Sequence, residues 1–317
     1  MNSISQRVLA LSGGIGGAKL ALGLYQSLPE ATLSVLCNTG DDFTHLGLNI
    51  SPDIDTVLYT LAGLSNRELG WGREGETWTF MDALQAIGGE TWFRLGDGDL
   101  ALHVERTRRL SEGEHLSEIV DAIRQRLQIH AQILPMCDRP VPTLVNTEQG
   151  TLPFQQYFVK LQCEPVVTGF EFNDVQRAEP TQALRELLSS GNLQAIVICP
   201  SNPFISIDPI LAVPGLRDAL RECTAPVVAV SPVIGGRSVK GPTAKMMAEL
   251  SLPVSAGAVA EHYGDLLDGF VLDNEDAQLA NELSVRCCVT QTWMRNDKDK
   301  CELAREVLSF AQTLRKV

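Results

Sequence analysis

Residues 7–20 read RVLALSGGIGGAKL, and a fold class follows from this segment. Arg7 to Ser12 is a short apolar run that ends at glycines, which is typical of a buried strand. Apolar residues then recur with helical spacing from Gly17 to Leu28, and Leu33 to Cys37 forms a second apolar run. Strand, helix and strand with short connections predict a βαβ unit with parallel pairing and a right-handed crossover.

The rest of the chain divides into regions of different pattern. From Thr181 to Leu314, helical and strand-like segments alternate again, whereas residues from about 60 to 130 are mostly helical in pattern. Residues from about 130 to 175 alternate between apolar and turn residues. We predict one α/β domain over residues 1–317: a Rossmann-like, mainly parallel sheet flanked by helices, with that helical insertion and a small β-rich cap over the substrate pocket.

Composition limits the classes of function. The 317 residues carry a formal net charge of −13, so a general basic field for nucleic acid is excluded and an anionic ligand must be bound by local groups. Eight cysteines without a CxxC pair indicate buried free thiols in a reducing compartment rather than a zinc site. No apolar run approaches the ~20 residues of a membrane span, and we expect a cytoplasmic protein that does not bind membranes.

The glycine-rich segment SGGIGGAK at residues 12–19 lies where the first strand meets a helix. Backbone N–H groups there can approach a phosphate, and the helix dipole favours an anion. The segment is neither a Walker A loop nor GxGxxG, since Lys19 stands at the third glycine position. The predicted phosphate-binding residues are Gly13, Gly14, Gly16, Gly17 and Lys19. A tight turn with close helix–sheet packing is the alternative.

Four aspartates follow the second strand and should lie at the same edge of the sheet: Asp41, Asp42, Asp53 and Asp55. Carboxylates there would repel one another and a phosphate unless a cation such as Mg²⁺ lay between them. Two alternatives remain: Asp53 and Asp55 only favour the start of a helix that Ser51 caps, and Asp41–Asp42 form a solvated turn.

Two later segments also follow predicted strands. In CPSNP, residues 199–203, Ser201 and Asn202 offer compact donors and acceptors for a base, sugar or phosphate, or they cap a helix that starts at Pro203. SPVIGGRSVKGP, residues 231–242, is a second glycine loop and carries Arg237 and Lys240. Two glycine turns at one sheet edge suggest two ends of one ligand, or two ligands.

The segment FRLGDGD, residues 93–99, places Arg94 in an apolar setting. Arg94 is predicted to bind an anion or stack on a flat ring, or else to pair with Asp97 or Asp99. His103 is either an acid–base group or structural. The chain has no GxSxG or HExxH, which favours chemistry by positioning and charge neutralisation, as in phosphoryl transfer.

Ordered motifs over about residues 7–310 give a family resemblance. They include LSGGIGGAKL, NTGDD, SPDIDTVLYTLAG, LGDGD, ILPMCDRPVPT, ICPSNPFISIDPIL and SPVIGGRSVKGPTAKMM. The chain resembles the 2-phospho-L-lactate transferases of coenzyme F-420 biosynthesis, whose bacterial relatives are described as phosphoenolpyruvate transferases.

The resemblance implies an activity. A terminal ribityl hydroxyl of the deazaflavin FO would attack a guanosine diphosphate-linked phospho-acid, GMP would leave, and Mg²⁺ would assist. It also implies a homodimer. The donors with lactate, enolpyruvate or glycerate differ by a few atoms, so side-chain types leave the phospho-acid open.

The resemblance also implies site residues. Asp55 and Arg94 match positions that contact FO, and Pro135, Met136 and Thr143 would help wall its pocket. The implied metal ligands are Asp41, Asp42 and Asp53, with Asp53 and Asp55 as the catalytic residues. The guanosine diphosphate portion would lie on the first glycine turn and on Ser201, Asn202, Gly235, Gly236, Lys240 and Gly241.

Two other functions stay open on the residues alone. An NAD-type oxidoreductase would explain the βαβ opening and the acids after the second strand, although the third fingerprint glycine is absent. A non-catalytic sensor of nucleotides or sugar phosphates would use the same glycine turns without the FO-contacting residues.

Overall fold

The computed structural model describes residues 7–66 and 72–314. Its strands in chain order are β1 (Arg7–Ser12), β2 (Leu33–Cys37), β3 (Phe43–His45), β4 (Leu48–Ile50), β5 (Gln132–Pro135), β6 (Thr143–Thr147), β7 (Gly150–Pro153), β8 (Val167–Phe172), β9 (Leu193–Ile198), β10 (Val227–Val230), β11 (Val233–Ile234), β12 (Arg237–Ser238), β13 (Gly269–Asp273) and β14 (Arg286–Thr290).

The α-helices in the same residues are α1 (Gly14–Ser27), α2 (Pro52–Leu61), α3 (Thr79–Ala86), α4 (Asp97–Ser111), α5 (Leu116–Arg126), α6 (Gln182–Ser189), α7 (Asp208–Leu211), α8 (Leu216–Glu222), α9 (Thr243–Glu249), α10 (Ala256–Tyr263) and α11 (Asp297–Thr313). π-Helical turns lie at Gln156–Lys160 and Pro203–Ile207, and 3₁₀ turns lie at Val175–Arg177, Gly264–Leu266 and Asn274–Asn281. None of these helices is long and apolar enough to cross a membrane.

A seven-stranded sheet forms the centre, in the order β14-β13-β10-β9-β1-β2-β5, and every neighbouring pair is parallel. Both faces are covered, which is why β1 and β2 read as continuous apolar runs. Alternate residues of β1 enter different cores: Leu9 and Leu11 pack on one face, and Val8 and Ala10 on the other. The predicted α/β class is confirmed.

The strand order indicates where a binding crevice would lie. From β1 the chain proceeds to β2 and β5 on one side, and it returns through β9 on the other side of β1. The direction of winding therefore changes between β1 and β9. Ligands of open α/β sheets bind outside the carboxyl ends of the strands at such a switch point.

The middle of the chain contacts the loop after β2 and the start of α2. Helices α3, α4 and α5 precede β5, and a separate antiparallel sheet of order β7-β6-β8 follows it. Although β5 falls in the range that the sequence assigned to the cap, it forms the edge of the central sheet. The polar loop after β2 contains a short hairpin, β3–β4.

The cysteines are free thiols, as the sequence predicts. All eight are unbonded, and three are buried: Cys37, Cys137 and Cys199. The other five are partly exposed, so burial is not general among them.

Candidate active site

Three polar segments meet at the carboxyl ends of β1, β2 and β9. Gly13, which follows β1, donates its backbone N–H to Ser201 Oγ at 3.2 Å. Gly14 donates its N–H to Asp53 Oδ1 at 2.6 Å. Asn38, which follows β2, donates Nδ2 to the Ile205 carbonyl at 3.2 Å. The switch point thus joins the glycine turn, the acidic loop and the segment after β9.

The glycines of the first turn are required by close packing. A Cβ on Gly16 would lie 2.3 Å from the Pro200 carbonyl oxygen, which is much closer than real contacts allow. Gly14 has φ +64°, a conformation that favours glycine. These facts account for two glycines without a ligand, and the binding of a phosphate to the turn stays a prediction.

Asn38 organises the acidic loop, and the sequence interpretation did not select it. Its Nδ2 donates to Asp41 Oδ1 at 3.0 Å and to Asp53 Oδ2 at 2.9 Å, while its Oδ1 accepts the Gly40 N–H at 2.7 Å. Asn38 is fully buried. An amide directly after a buried strand was the available signal, because strand ends at this edge are where site residues collect.

The carboxyl groups beside Asn38 lie in an environment that disfavours their charge. Burial raises the pKa of Asp53 to about 6, against the hydrogen bonds from Asn38 and Gly14. Burial, followed by the negative charge of Asp53, raises the pKa of Asp41 well above its usual range. Burial also raises the pKa of Asp42, whose Oδ2 accepts a hydrogen bond from Ser51 Oγ at 2.7 Å. The Ser51 hydroxyl therefore hydrogen-bonds to Asp42, and the Ser51 side chain does not cap α2.

Asp55 differs from Asp41, Asp42 and Asp53 because it forms an ion pair with Arg106 of α4. Arg106 is fully buried and holds both carboxylate oxygens of Asp55, one of them at 3.1 Å. Burial raises the pKa of Asp55, and the charges of Arg106 and His103 oppose the shift. His103 also lies 3.2 Å from Asp99, which accepts a hydrogen bond from Tyr59. Neither ring nitrogen of His103 has a well-formed hydrogen bond among the described residues.

Two groups of side chains offer ligand atoms to a cation. Asp55, Asp99 and His103 bring ligand atoms within 4.8 Å of one another, but the guanidinium of Arg106 already neutralises Asp55. Asp41 and Asp53 converge on Asn38 without such a cation beside them in the described part of the chain. Mg²⁺ in proteins takes one or two carboxylates together with substrate phosphates, so this pair fits Mg²⁺ better.

Basic side chains from distant parts of the chain lie near the glycine turn. Lys19 of α1 donates its Nζ to the Met294 carbonyl at 3.1 Å. Burial lowers the pKa of Lys19, and the positive charges of Lys240 and Lys300 lower it further. Lys300 pairs with Asp297 at 2.8 Å. The predicted phosphate-binding residues Lys19 and Lys240 are thus near each other.

The other predicted nucleotide-binding residues have local roles. Gly235 and Gly236 form the two-residue turn between β11 and β12, both with positive φ, and Gly241 also has positive φ. Asn202 Oδ1 accepts the N–H groups of Phe204 and Ile205, which is the helix-cap arrangement. Contact of these residues with a nucleotide stays a prediction.

The residues that the resemblance assigns to FO are separated in the structure. Arg94 lies 4.0 Å over the ring of Trp78 and lines a pocket of about 150 Å³. Pro135 ends β5, and Met136 is fully buried in the hydrophobic core. Thr143 lines a different pocket, of about 200 Å³. Arg94 therefore stacks on a protein ring, and Asp97 instead accepts the N–H of Phe80 at the start of α3.

Comparisons with known proteins show which family this chain is similar to. The family model described as 2-phospho-L-lactate transferase CofD matches residues 8–309. A phosphoenolpyruvate transferase of Streptomyces griseus is 40% identical, over 98% of this chain and 99% of its own. A 2-phospho-L-lactate transferase of Methanopyrus kandleri is also 40% identical, over 97% of this chain and 98% of its own.

A solved structure supports the fold alone. A UPF0052-family protein from Bacillus halodurans aligns over 96% of this chain and 99% of its own, with a TM-score of 0.65 and 17% identity. The family match and the relatives carry the assignment, and they confirm the family that the ordered motifs predict. This chain belongs to the 2-phospho-L-lactate transferase family and is a transferase.

Proposed function

We propose that this protein transfers a phospho-acid group from a guanosine diphosphate-linked donor to the terminal ribityl hydroxyl of FO, with release of GMP, in coenzyme F-420 biosynthesis. The group is 2-phospholactyl or enolpyruvyl phosphate. Membership of the family supports the reaction class. The observation that carries the proposal is the junction at the switch point, where the glycine turn meets Asp53 and Asn38.

The donor would bind at the basic side of this junction. The chain is acidic overall, so the diphosphate needs local positive charge, which Lys19 and Lys240 supply. The N-terminus of α1 adds a favourable dipole for an anion. These groups would hold the diphosphate and orient its distal phosphorus toward the acidic side.

Asp41 and Asp53 would hold Mg²⁺. When bound, the ion would offset negative charge on the diphosphate and on the departing GMP. Asn38 keeps the two carboxylates in place by donating to both, and Gly14 fixes the second oxygen of Asp53. Burial raises the pKa of both carboxyls, so a cation beside them would stabilise their charged forms.

We assign the attacking hydroxyl to Asp42. Its Oδ1 is buried and has no hydrogen-bond partner among the described residues, whereas both oxygens of Asp55 are engaged by Arg106. Ser51 holds the other oxygen of Asp42, and Asp42 lines the same pocket as Thr143. Asp42 Oδ1 would accept the hydrogen bond of the ribityl hydroxyl and then its proton.

The test is a reaction of purified protein with FO, Mg²⁺ and each of the lactate-, enolpyruvate- and glycerate-linked guanosine donors. We expect the mass of FO to increase by the phospho-acid with one donor and an equal amount of GMP to form. Asp42→Asn should lower kcat by about 100-fold or more, while the exposed Asp174→Asn should not. Absence of any FO product with all three donors would disprove the proposal.

A further inference from the structure

The π-helical turn at Pro203–Ile207 contacts two parts of the candidate site. Asn38 donates its Nδ2 to the Ile205 carbonyl at 3.2 Å. A Cβ on Gly13 would lie 2.5 Å from Ser206 Cβ, so the turn also packs tightly against the first glycine turn. The position of the π-helical turn therefore affects both Asn38 and the glycine turn.

Helix α7 follows the π-helical turn directly and contacts the acidic loop. A Cβ on Gly40 would lie 3.0 Å from the Cβ of Pro209, the second residue of α7. Gly40 donates its N–H to Asn38 Oδ1 at 2.7 Å. A shift of residues 203–209 would therefore change the surroundings of Asn38 on two sides.

The start of the π-helical turn is fixed by local hydrogen bonds. The Ile207 N–H reaches back to the Asn202 carbonyl at 3.3 Å, and Asn202 Oδ1 accepts the N–H groups of Phe204 and Ile205. π-Helical geometry is rare and occurs mostly as single turns, frequently at functional sites. We therefore asked which tertiary contacts hold the other end of the turn.

His262 of α10 holds that end through Asp208, the first residue of α7. His262 Nε2 lies 2.9 Å from each carboxylate oxygen of Asp208. An ionised carboxylate only accepts hydrogen bonds, so Nε2 is the donor. The His262 ring also makes an edge contact with Phe204 at a centroid distance of 5.0 Å, and Phe204 stacks on Phe170 of β8 at 6.0 Å. His262 thus contacts the π-helical turn near its start and just after its end.

We propose that His262 is a positioning residue for the candidate site. By fixing the π-helical turn, it holds Asn38, whose amide donates to the carboxylates of Asp41 and Asp53. The consequence for turnover rests on the proposed function, whereas the consequence for the backbone does not.

Hydrogen exchange of two backbone amides tests the positioning without any substrate. The Gly40 N–H is bonded to Asn38, and the Gly14 N–H is bonded to Asp53. In His262→Leu both amides should exchange about tenfold faster than in the unmodified protein, because a hydrogen bond to a charged group that fixes the turn is lost. His262→Gln keeps an N–H donor and should restore most of the protection.

Arg217→Met is the matched control. Arg217 of α8 donates to the Tyr263 carbonyl at 2.6 Å, so it anchors the same end of α10 to a different element. This variant should leave the exchange of Gly14 and Gly40 unchanged. Equal acceleration in Arg217→Met and His262→Leu would overturn the inference, because it would reflect a general loosening of α10.

Unaltered exchange in folded His262→Leu would also overturn the inference, and thermal unfolding shows whether each variant is folded. If His262→Leu does not fold, Asp208→Asn weakens the same contact and replaces it, with the same expected acceleration.

Turnover provides a second measure. The concentration of Mg²⁺ that gives half-maximal turnover should rise about tenfold in His262→Leu, since groups that orient metal-binding side chains typically contribute such a factor. KM for FO should stay as in the unmodified protein, and His262→Gln should resemble the unmodified protein in both constants. A rise in KM for FO without a change in the Mg²⁺ requirement would contradict the inference.

The results separate this inference from the proposed function. If the two amides respond as expected but the unmodified protein converts FO with none of the donors, the positioning is supported and the reaction is not. If FO is converted while His262→Leu matches the unmodified protein in exchange and in Mg²⁺ requirement, the reaction is supported and the positioning is not.

Discussion

Asp53 connects the two halves of the candidate site through its two oxygens. One accepts the Gly14 N–H at the start of α1, and the other accepts Asn38 Nδ2 at the end of β2. Asp53 is 4% exposed, and burial raises its pKa to about 6. The titration of Asp53 therefore depends on groups from both halves of the candidate site.

Asp53→Asn should make stability less dependent on pH. A carboxyl whose pKa is raised in the folded state binds its proton more tightly there, so its contribution to stability falls as pH rises from about 4 to about 6 and is constant above. The free energy of unfolding of Asp53→Asn, minus that of the unmodified protein, should increase over this interval by up to about 3 kcal/mol. Urea unfolding in EDTA measures it.

The exposed Asp174→Asn is the control for this measurement, because its side chain is largely in solvent. The rise with pH should be larger for Asp53→Asn than for this control. Equal curves for the two variants would mean that Asp53 titrates normally in the folded protein.

At the scale of elements, α2 and α4 are joined by a buried ion pair. Arg106 of α4 holds Asp55 of α2 and also donates to the Asn49 carbonyl at 3.3 Å. Arg106 is fully buried, so it cannot be solvated if Asp55 loses its charge. The insertion is therefore attached to the sheet edge through the residue that the family resemblance makes catalytic.

Arg106→Met should lower the free energy of unfolding by about 3–5 kcal/mol, because it leaves the buried carboxylate of Asp55 unpaired. Arg108→Met on the same helix removes an exposed arginine and should change it by less than about 1 kcal/mol. The double variant Asp55→Asn, Arg106→Met should recover part of the loss. Equal stability of the two single arginine variants in urea would contradict the expectation.

This pair also affects how Asp55 variants are interpreted. A loss of turnover in Asp55→Asn has two explanations, loss of a group that acts on the hydroxyl and loss of the folded insertion. Only turnover of protein shown to be folded distinguishes them. A crystal structure or a hydrogen-exchange profile of α2 and α4 would supply that evidence.

At the scale of the whole molecule, local positive charge opposes an acidic background. The formal net charge is −13, yet Lys19, Lys240 and Lys300 approach one another from α1, the second glycine loop and α11. The proposed anionic donor would be repelled by the net charge at long range and attracted by these lysines at short range. Binding of the donor should depend on these few side chains.

Lys240→Gln should raise KM for the guanosine donor about tenfold and leave KM for FO unchanged, because a charged hydrogen bond to the diphosphate is lost. Lys298→Gln, on the exposed face of α11 beside Glu302, should alter neither constant. Steady-state kinetics at low ionic strength measures both, since salt screens exposed charges. An equal effect of the two variants would show that Lys240 acts only through net charge.

Predictions from pattern were accurate where burial imposes the pattern. The ranges Arg7–Ser12 and Leu33–Cys37 coincide with strands because both faces of the sheet are covered. Helix α1 begins at Gly14 rather than Gly17, since the glycine turn is itself the first helical turn.

The sequence by itself determined the α/β fold and the family, because apolar periodicity and ordered motifs are local properties of the chain. Only the tertiary structure decided which groups act together. Asn38 donates hydrogen bonds to both Asp41 and Asp53. Arg106 pairs with Asp55, which lies 51 residues away in the sequence. Thr143 and Arg94 line different pockets. Such pairings depend on how distant elements pack, and residue spacing along the chain does not encode that packing.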